Sequence, residues 1–162
     1  MSEARKPERS SEAHGDTAMS GASGHILVAI DGSENALRAL AFAIALAGRA
    51  PGTRIELVNA QVPVGQAVSM FLPRGTLTDF HRDAGMQALG PAIAAARQAG
   101  VAFAQHIAVG QPADVIAGFA RELGCTHVVM GTRGLGAALG MLLGSVATAV
   151  VRQVAVPVTL VK

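Results

Sequence analysis

The chain is organised around the glycine-rich stretch Met130-Gly131-Thr132-Arg133-Gly134, which is followed nine residues later by Gly144-Ser145-Val146-Ala147. An apolar run at 126–130 precedes this stretch, and a run that favours a helix, 146–153, ends it. The glycines therefore lie where a strand ends and a helix begins. At such a junction, free backbone N–H groups and the positive end of a helix dipole attract phosphate. The spacing G-x2-G-x9-G-S thus predicts a site for the phosphates of a nucleotide.

The sequence on both sides of this stretch alternates between strand-like and helix-like runs. An opening run of apolar residues at 25–30 has the length and composition of a parallel strand that is covered on both faces. Further strands are predicted at 53–60, 101–109, 126–130 and 156–161, and helices at 34–47, 77–99, 112–123 and from Gly144 to Gln153. This alternation predicts an α/β fold, a single open five-stranded parallel sheet with helices on both faces, as in Rossmann-like proteins.

Local signals set the expected boundaries of these elements. Ser33 is a plausible N-cap for the first helix, and Pro112 suits the first position of the third. The pair Gly90-Pro91 is expected to break or kink the long second helix. Residues 1–24 are polar and charged, so we expect a disordered N-terminal tail followed by one domain at 25–162. The segment 61–78 contains Pro63, Gly65, Pro73 and Gly75, which predict a long loop, and the sequence assigns this loop no role.

Composition excludes several classes of protein. The chain has five Phe, no Trp and no Tyr, and its 13 basic residues are scattered, so neither base stacking nor a basic stripe indicates nucleic-acid binding. Eighteen uncharged residues at 134–151 resemble a membrane span, but they include four glycines and are followed by a strand, so no membrane is predicted. The lone Cys125 fits a reducing cytoplasm and is expected to pack in the core.

Several catalytic and cofactor motifs are missing. The chain has no Walker G-x4-G-K-[ST] pattern and no G-x-S-x-G elbow, and its only G-x-G follows the fourth strand instead of the first. The five His residues lack metal-ligand spacing. His127 is expected in the core, and His81 and His106 are expected to be solvated. No paired carboxylates indicate acid–base catalysis, so no catalytic or metal-binding residue is predicted.

Asp31 follows the first strand directly, at the edge of the sheet where open α/β proteins bind their ligands. Its carboxylate can accept hydrogen bonds from a ribose hydroxyl or from an adenine amine. The alternative is that Asp31 only forms an Asx turn or caps the following helix. Both interpretations remain open at the level of sequence.

From residue 25 to 162 the chain resembles the universal stress protein family. The resemblance rests on Asp31-Gly32-Ser33, Val109-Gly110-x-Pro112-Ala113, the glycine-rich stretch with Gly144-Ser145-Val146-Ala147, and the ending Val156-Pro157-Val158-Thr159-Leu160-Val161. It implies the strand order 3-2-1-4-5, and a homodimer formed through the C-terminal strand from Val156 to Val161. The nucleotide-binding branch of the family carries G-x2-G-x9-G-[ST], so the resemblance implies ATP as ligand, with Mg²⁺.

The resemblance also implies roles for individual residues. Asp31 would contact ribose or adenine, and Ala60 would bind adenine through its backbone, although the family often has His-Val where this chain has Asn59-Ala60. The other implied contacts are Met130 and Gly131 along the ribose and phosphates, Arg133 and Gly134 at the phosphates, and Gly144, Ser145 and Val146 holding them.

The function that these observations favour is an adenine-nucleotide-binding, dimeric stress-response regulator or sensor in the cytoplasm. One alternative is a dimeric interaction module whose nucleotide site is vestigial. The other is a nucleotide hydrolase, and since no base is predicted to activate water, any ATP hydrolysis is expected to be weak.

Overall fold

The structure, a computed structural model, describes residues 24–65, 70, 71, 73–135 and 143–162. Strands and helices alternate along these residues. The strands are β1 (His25–Ala29), β2 (Arg54–Gln61), β3 (Phe103–Val109), β4 (His127–Gly131) and β5 (Val158–Val161), and the helices are α1 (Glu34–Ala47), α2 (Arg74–Gln98), α3 (Pro112–Glu122) and α4 (Ser145–Gln153).

The five strands form one parallel sheet in the order β3-β2-β1-β4-β5. This confirms the predicted fold class and the strand order that the family resemblance implied. The observed ends of the strands and helices differ from the predicted ones by at most three residues, and those of α1 (34–47) not at all. The shortest strand, β5, begins at Val158, two residues later than predicted. Pro157 lies just before it, and the Pro157 carbonyl accepts a hydrogen bond from the Val128 N–H.

Helix α1 begins where the sequence predicted. The backbone of Gly32 has a φ of +89°, a conformation that favours glycine, and it turns the chain away from the sheet. The Ser33 hydroxyl then accepts a hydrogen bond from the Ala36 N–H at 3.2 Å and so caps the first turn. This turn places the N-terminal end of α1 directly beside the end of β1.

Each face of the sheet carries its own apolar core. Helices α1 and α2 cover one face, where Leu40, Ile55 and Leu89 are fully or almost fully buried. Helices α3 and α4 cover the other, where Val128 and Val150 are fully buried. A central parallel strand needs apolar residues on both sides, which is why β1 reads as a continuous apolar run.

Helix α2 runs through Pro91 without interruption, so Gly90-Pro91 does not break the helix. Proline has no backbone N–H, so the carbonyl of Gln87, four residues earlier, receives no hydrogen bond within the helix. Gln87, Gly90 and Pro91 are all exposed, so water can solvate that carbonyl. The opposite side of the same turn buries Leu89 and Ala92 completely, and this packing holds the helix together.

The prediction that His81 and His106 are solvated is also wrong. His81 is only 8% exposed, and His106 packs its ring 5.0 Å from that of Phe119. His106 Nε2 lies 2.8 Å from Oε2 of Glu56, a carboxylate that is itself buried. The hydrogen bond comes from a strand that lies 50 residues away in sequence, so no local pattern predicts it.

Two other side-chain predictions can be compared directly with the structure. Cys125 is buried, as expected for a packing residue. His127 is partly buried, and its Nε2 lies 2.7 Å from the Thr159 hydroxyl of β5, which satisfies the ring by hydrogen bonding.

Several predictions concern residues outside the described part of the chain. These are the disordered tail, apart from Gly24, and parts of the 61–78 loop and of the 134–151 run. Within the described residues, no helix combines the length and apolar character that crossing a membrane requires.

Candidate functional site

A cleft of about 610 Å³ lies at the carboxyl ends of β2, β1 and β4, between the start of α1 and the start of α4. This is the edge at which open parallel sheets bind ligands. All nine residues predicted from the sequence line this one cleft: Asp31, Ala60, Met130, Gly131, Arg133, Gly134, Gly144, Ser145 and Val146. The fold therefore brings together residues that are separated by more than 110 positions in sequence.

Two glycines of the cleft, Gly131 and Gly134, lie where there is no room for a side chain. A Cβ at Gly131 would lie 2.8 Å from Asn35 Cβ and 3.1 Å from the Arg133 carbonyl oxygen. A Cβ at Gly134 would collide with Asp31 Oδ2. Neither glycine has a positive φ, so close packing is the reason for glycine here, and backbone conformation is not. The loop after β4 is thereby held against β1 and α1.

Helix α4 points its N-terminus into the cleft. Gly144 is its N-cap and provides no capping side chain, so the N–H groups of the first turn, beginning at Ser145, have no acceptor within the helix. The Gly144 N–H donates to the Thr132 carbonyl at 2.7 Å, and the Thr132 N–H donates to the Val161 carbonyl at 2.8 Å. These bonds fix the helix start to the ends of β4 and β5.

Asp31 is both a turn residue and a wall of the cleft. Its Oδ1 accepts a hydrogen bond from the Ser33 N–H at 2.9 Å, which forms the Asx turn that the sequence left as an alternative. Its Oδ2 accepts a hydrogen bond from the Leu135 N–H at 3.0 Å. Each carboxylate oxygen has a second lone pair, so the turn does not prevent Asp31 from accepting a further hydrogen bond.

At the opposite end of the cleft, the backbone of Ala60 extends beyond the end of β1. The ladder between β1 and β2 ends at the pair Ala29 and Val58, followed by one bond from the Ile30 N–H to the Val58 carbonyl at 2.8 Å. Successive residues of a strand in a parallel sheet direct their backbone N–H and C=O groups to opposite neighbouring strands. Val58 faces β1, so Ala60, two residues later, faces the same side at a position beyond the end of β1. This open edge of β2 can offer a donor and an acceptor to a ligand.

A side chain takes the place of the next ladder bond. Asn59 is 2% exposed, and its Nδ2 donates to the Ile30 carbonyl at 2.7 Å. That carbonyl is the atom to which the Ala60 N–H would donate if the ladder continued. Asn59 thus satisfies the end of β1 and leaves the Ala60 backbone for the cleft.

Sequence reasoning did not identify Asn59 or its neighbour Gln61 as site residues. Both line the cleft, and Gln61 Nε2 donates to Asn59 Oδ1 at 2.6 Å. A signal was present: two amide side chains two residues apart share one face of a strand, and here they occur at its carboxyl end. Their partner, the Ile30 carbonyl, belongs to another strand and gives no signal in the sequence.

The walls of the cleft combine apolar side chains with few charges. Ile116 from α3 and Met130 from β4 provide part of the apolar surface, and Asp31 and Arg133 are the charged side chains among the described lining residues. Arg133 is exposed and lies next to the α4 end, where it adds positive charge. Across the described part of the chain, no group of three or more His, Cys, Asp or Glu residues has the arrangement of a metal site.

Fold and cleft together define an open parallel α/β protein with a cleft at its strand ends and a helix N-terminus facing that cleft. The chain belongs to the universal stress protein family, whose family model matches residues 23–162. It is 35% identical, over 138 residues, to a universal stress protein of Thermus aquaticus located in the 3′ region of QAH/OAS sulfhydrylase. The matched residues are 85% of this chain and 97% of that protein.

Solved structures show the same fold. A universal stress protein in complex with cAMP is 26% identical, with a TM-score of 0.65, and the match covers 86% of this chain and 97% of the other. A universal stress protein family protein from Arabidopsis thaliana with AMP bound is 20% identical, with a TM-score of 0.61, and the match covers 86% and 91% of the two chains. At 20% identity, the second likeness shows the fold alone.

Proposed function

We propose that this chain binds an adenine nucleotide, ATP in particular, in the cleft at the ends of β2, β1 and β4. The observation that carries the proposal is the uncapped N-terminus of α4 beside Gly131 and Gly134, because backbone N–H groups without acceptors favour phosphate oxygens. A family member of similar sequence was solved in complex with cAMP, which supports an adenine nucleotide as ligand.

The two ends of the cleft suit the two ends of a nucleotide. Phosphates lie at the first turn of α4, near the N–H groups of Ser145 and Val146 and near Arg133. The base lies two strands away, roughly 9–10 Å, at the open edge of Ala60. There the Ala60 carbonyl accepts from the adenine amine and its N–H donates to the ring. The ribose lies between them, within reach of Asp31.

Mg²⁺ would enter with the phosphates. The ion keeps several waters and commonly takes only one or two protein carboxylates. Asp31 is the one carboxylate among the described lining residues, and it already accepts hydrogen bonds from two backbone N–H groups. The phosphates and water would therefore supply most of the magnesium ligands. The same scarcity of free carboxylates leaves water without an activating base, which favours binding over rapid hydrolysis.

We further propose that the protein works as a homodimer that regulates or senses stress in the cytoplasm. Strand β5 is at the edge of the sheet and pairs with β4 on one side only. Its four residues are only half buried although three of them are apolar. An edge of this kind pairs readily with another strand, here β5 of a second copy.

Calorimetric titration with Mg-ATP tests the binding proposal, and Ser145 allows a sharp variant. It is the first residue of α4, where proline is well tolerated, and Gly144 before it has the extended backbone that precedes proline (φ −69°, ψ 155°). Ser145→Pro therefore removes one N–H and the hydroxyl without breaking the helix. Helix α3 already begins with Pro112 in the same position.

The expected result is saturable binding of ATP, weakened by about 10-fold or more by Ser145→Ala and by about 100-fold or more by Ser145→Pro, because each lost hydrogen bond to a charged group is worth about 1.5–3 kcal/mol. Circular dichroism and thermal unfolding check that both variants remain folded. The proposal fails if the folded wild-type protein gives no heat with ATP at millimolar concentration. It also fails if Ser145→Pro binds as tightly as the wild type.

A further inference from the structure

Two side-chain amides lie in series at the base end of the cleft. Asn59 is buried and bonds the Ile30 carbonyl, and Gln61 is partly buried and bonds Asn59. The distances are 2.7 Å and 2.6 Å, so both are short hydrogen bonds. Neither amide belongs to the glycine-rich stretch or to the predicted site.

The chemistry of the Ile30 carbonyl orients both amides. A carbonyl oxygen only accepts hydrogen bonds, so Asn59 must turn its Nδ2 toward Ile30 and its Oδ1 toward Gln61. An amide oxygen also only accepts, so Gln61 must present its Nε2 to Asn59. The acceptor of Gln61 is Oε1, whose position is fixed by the bond from Nε2 to Asn59, while Nε2 keeps a second hydrogen. The orientation of Gln61 therefore follows from a backbone atom on another strand.

We propose that Gln61 makes the cleft selective for 6-aminopurines over 6-oxopurines, with Asn59 as the positioning residue; this rests on the proposed nucleotide function. The adenine amine has two hydrogens. One donates to the Ala60 carbonyl and the other to Gln61 Oε1. A 6-oxopurine presents an acceptor at the same place, which meets the Gln61 oxygen and leaves both acceptors without a donor.

Asn59 prevents Gln61 from adapting to the other base. A free glutamine could rotate its amide by 180° and donate from Nε2 to a 6-oxo group. Rotation here would place Gln61 Oε1 against Asn59 Oδ1, and Asn59 cannot rotate in turn because it would place Oδ1 against the Ile30 carbonyl. The two hydrogen bonds therefore keep Gln61 Oε1 directed at the base and maintain the preference for a 6-amino group, which a glutamine without Asn59 would not do.

The experiment measures the ratio of ITP to ATP dissociation constants by calorimetry, since inosine carries a 6-oxo group and a protonated N1 where adenosine carries a 6-amino group and an unprotonated N1. The wild type is expected to prefer ATP by at least about 100-fold, since a site built to bond one partner rejects its mismatch strongly. Gln61→Leu lowers the ratio by about 10-fold. Gln105→Leu on β3, an exposed glutamine outside the lining residues, leaves the ratio unchanged.

Asn59→Leu separates positioning from mere packing. The variant removes the hydrogen bond that orients the Gln61 amide, so ITP should gain affinity relative to ATP and the ratio of dissociation constants should fall by about 10-fold. Thermal unfolding checks that the variant is folded. Equal binding of ATP and ITP by the wild type, or an unchanged ratio in Gln61→Leu, overturns the selectivity proposal and leaves nucleotide binding standing. Binding of neither nucleotide by the folded wild type overturns the proposed function, and the selectivity with it.

Discussion

Asp31 Oδ2 accepts a hydrogen bond from the Leu135 N–H at 3.0 Å, which joins the loop after β1 to the loop after β4 across 104 residues of sequence. The bond passes beside Gly134, where any Cβ would collide with the same oxygen. The carboxylate thus defines one wall of the cleft and also fixes the loop that forms the opposite wall. A side chain at 134 would disturb both.

Gly134→Ala is therefore expected to push the Asp31 carboxylate away from Leu135 and to weaken ATP binding by about 10-fold or more. The protein should still fold, because Gly134 is exposed and lies outside both cores. Calorimetry measures the affinity. Gly118→Ala in α3 is the matched control: its Cβ meets no atom within 4 Å, so binding should be unchanged, with stability raised by up to about 1 kcal/mol. Equal affinities in the two variants would contradict the role given to Gly134.

The proposed dimer can be tested at Val158 in the edge strand. Hydrogen bonds from the Val128 N–H to the Pro157 carbonyl and from the Thr132 N–H to the Val161 carbonyl show that alternate residues of β5 face β4. Val158 therefore points its N–H outward. Val158→Pro removes this donor and should convert the dimer to a monomer, as measured by light scattering after size exclusion. Val158→Ala, which loses a similar amount of packing, should remain dimeric, and a monomeric wild type would refute the proposed dimer.

Glu56 is a buried carboxylate at the amino ends of the strands, far from the cleft. Its oxygens lie 2.9 Å from His25 Nδ1, 3.3 Å from Arg54 Nε and 2.8 Å from His106 Nε2. Glu56→Ala removes the acceptor that these three side chains share and, at about 1 kcal/mol for each contact, should lower the free energy of unfolding by about 3 kcal/mol in urea titrations. Glu34→Ala, which breaks an exposed pair with Arg38, should cost less than about 1 kcal/mol. Similar losses in the two variants would mean that Glu56 is not held as described.

Burial, and then the negative charge of Glu56, raise the pKa of the Cys125 thiol to about 11 from an ordinary 9.0. Between these values the unfolded chain ionises its thiol while the folded chain keeps the proton, so stability must fall as pH rises from 9 to 11. The expected loss is about 2 kcal/mol at pH 11. Cys125→Ala should lose less stability over the same range in urea unfolding. Parallel pH profiles for the two proteins would contradict this assignment.

The sequence predicted the parts of this protein that depend on neighbouring residues. Alternation of strand and helix patterns gave the α/β class, Ser33 marked the start of α1, and the glycine spacing marked the cleft. The pattern at Gly90-Pro91 misled because local signals do not include the packing of Leu89 and Ala92. Tertiary burial there outweighs the cost of one missing helix bond.

What the sequence could not predict depends on pairs that meet only in the folded sheet. Glu56 finds His25 and His106 on its two neighbouring strands, and no spacing rule connects them. The two hydrogen bonds of Asn59 and Gln61 require the Ile30 carbonyl, whose position is set by the end of β1. A single sequence gives residue types and order, whereas these contacts arise from strand register.

The measurement that tests the nucleotide site most directly is a backbone amide NMR titration with Mg-ATP. We expect saturable shifts that are largest at the N–H groups of Ser145, Val146 and Ala60, because these donors meet the phosphates and the base. The amide signals of residues around Glu56, at the amino ends of the strands, should shift little. Shifts absent at millimolar ATP, or confined to residues outside the cleft, would contradict the account.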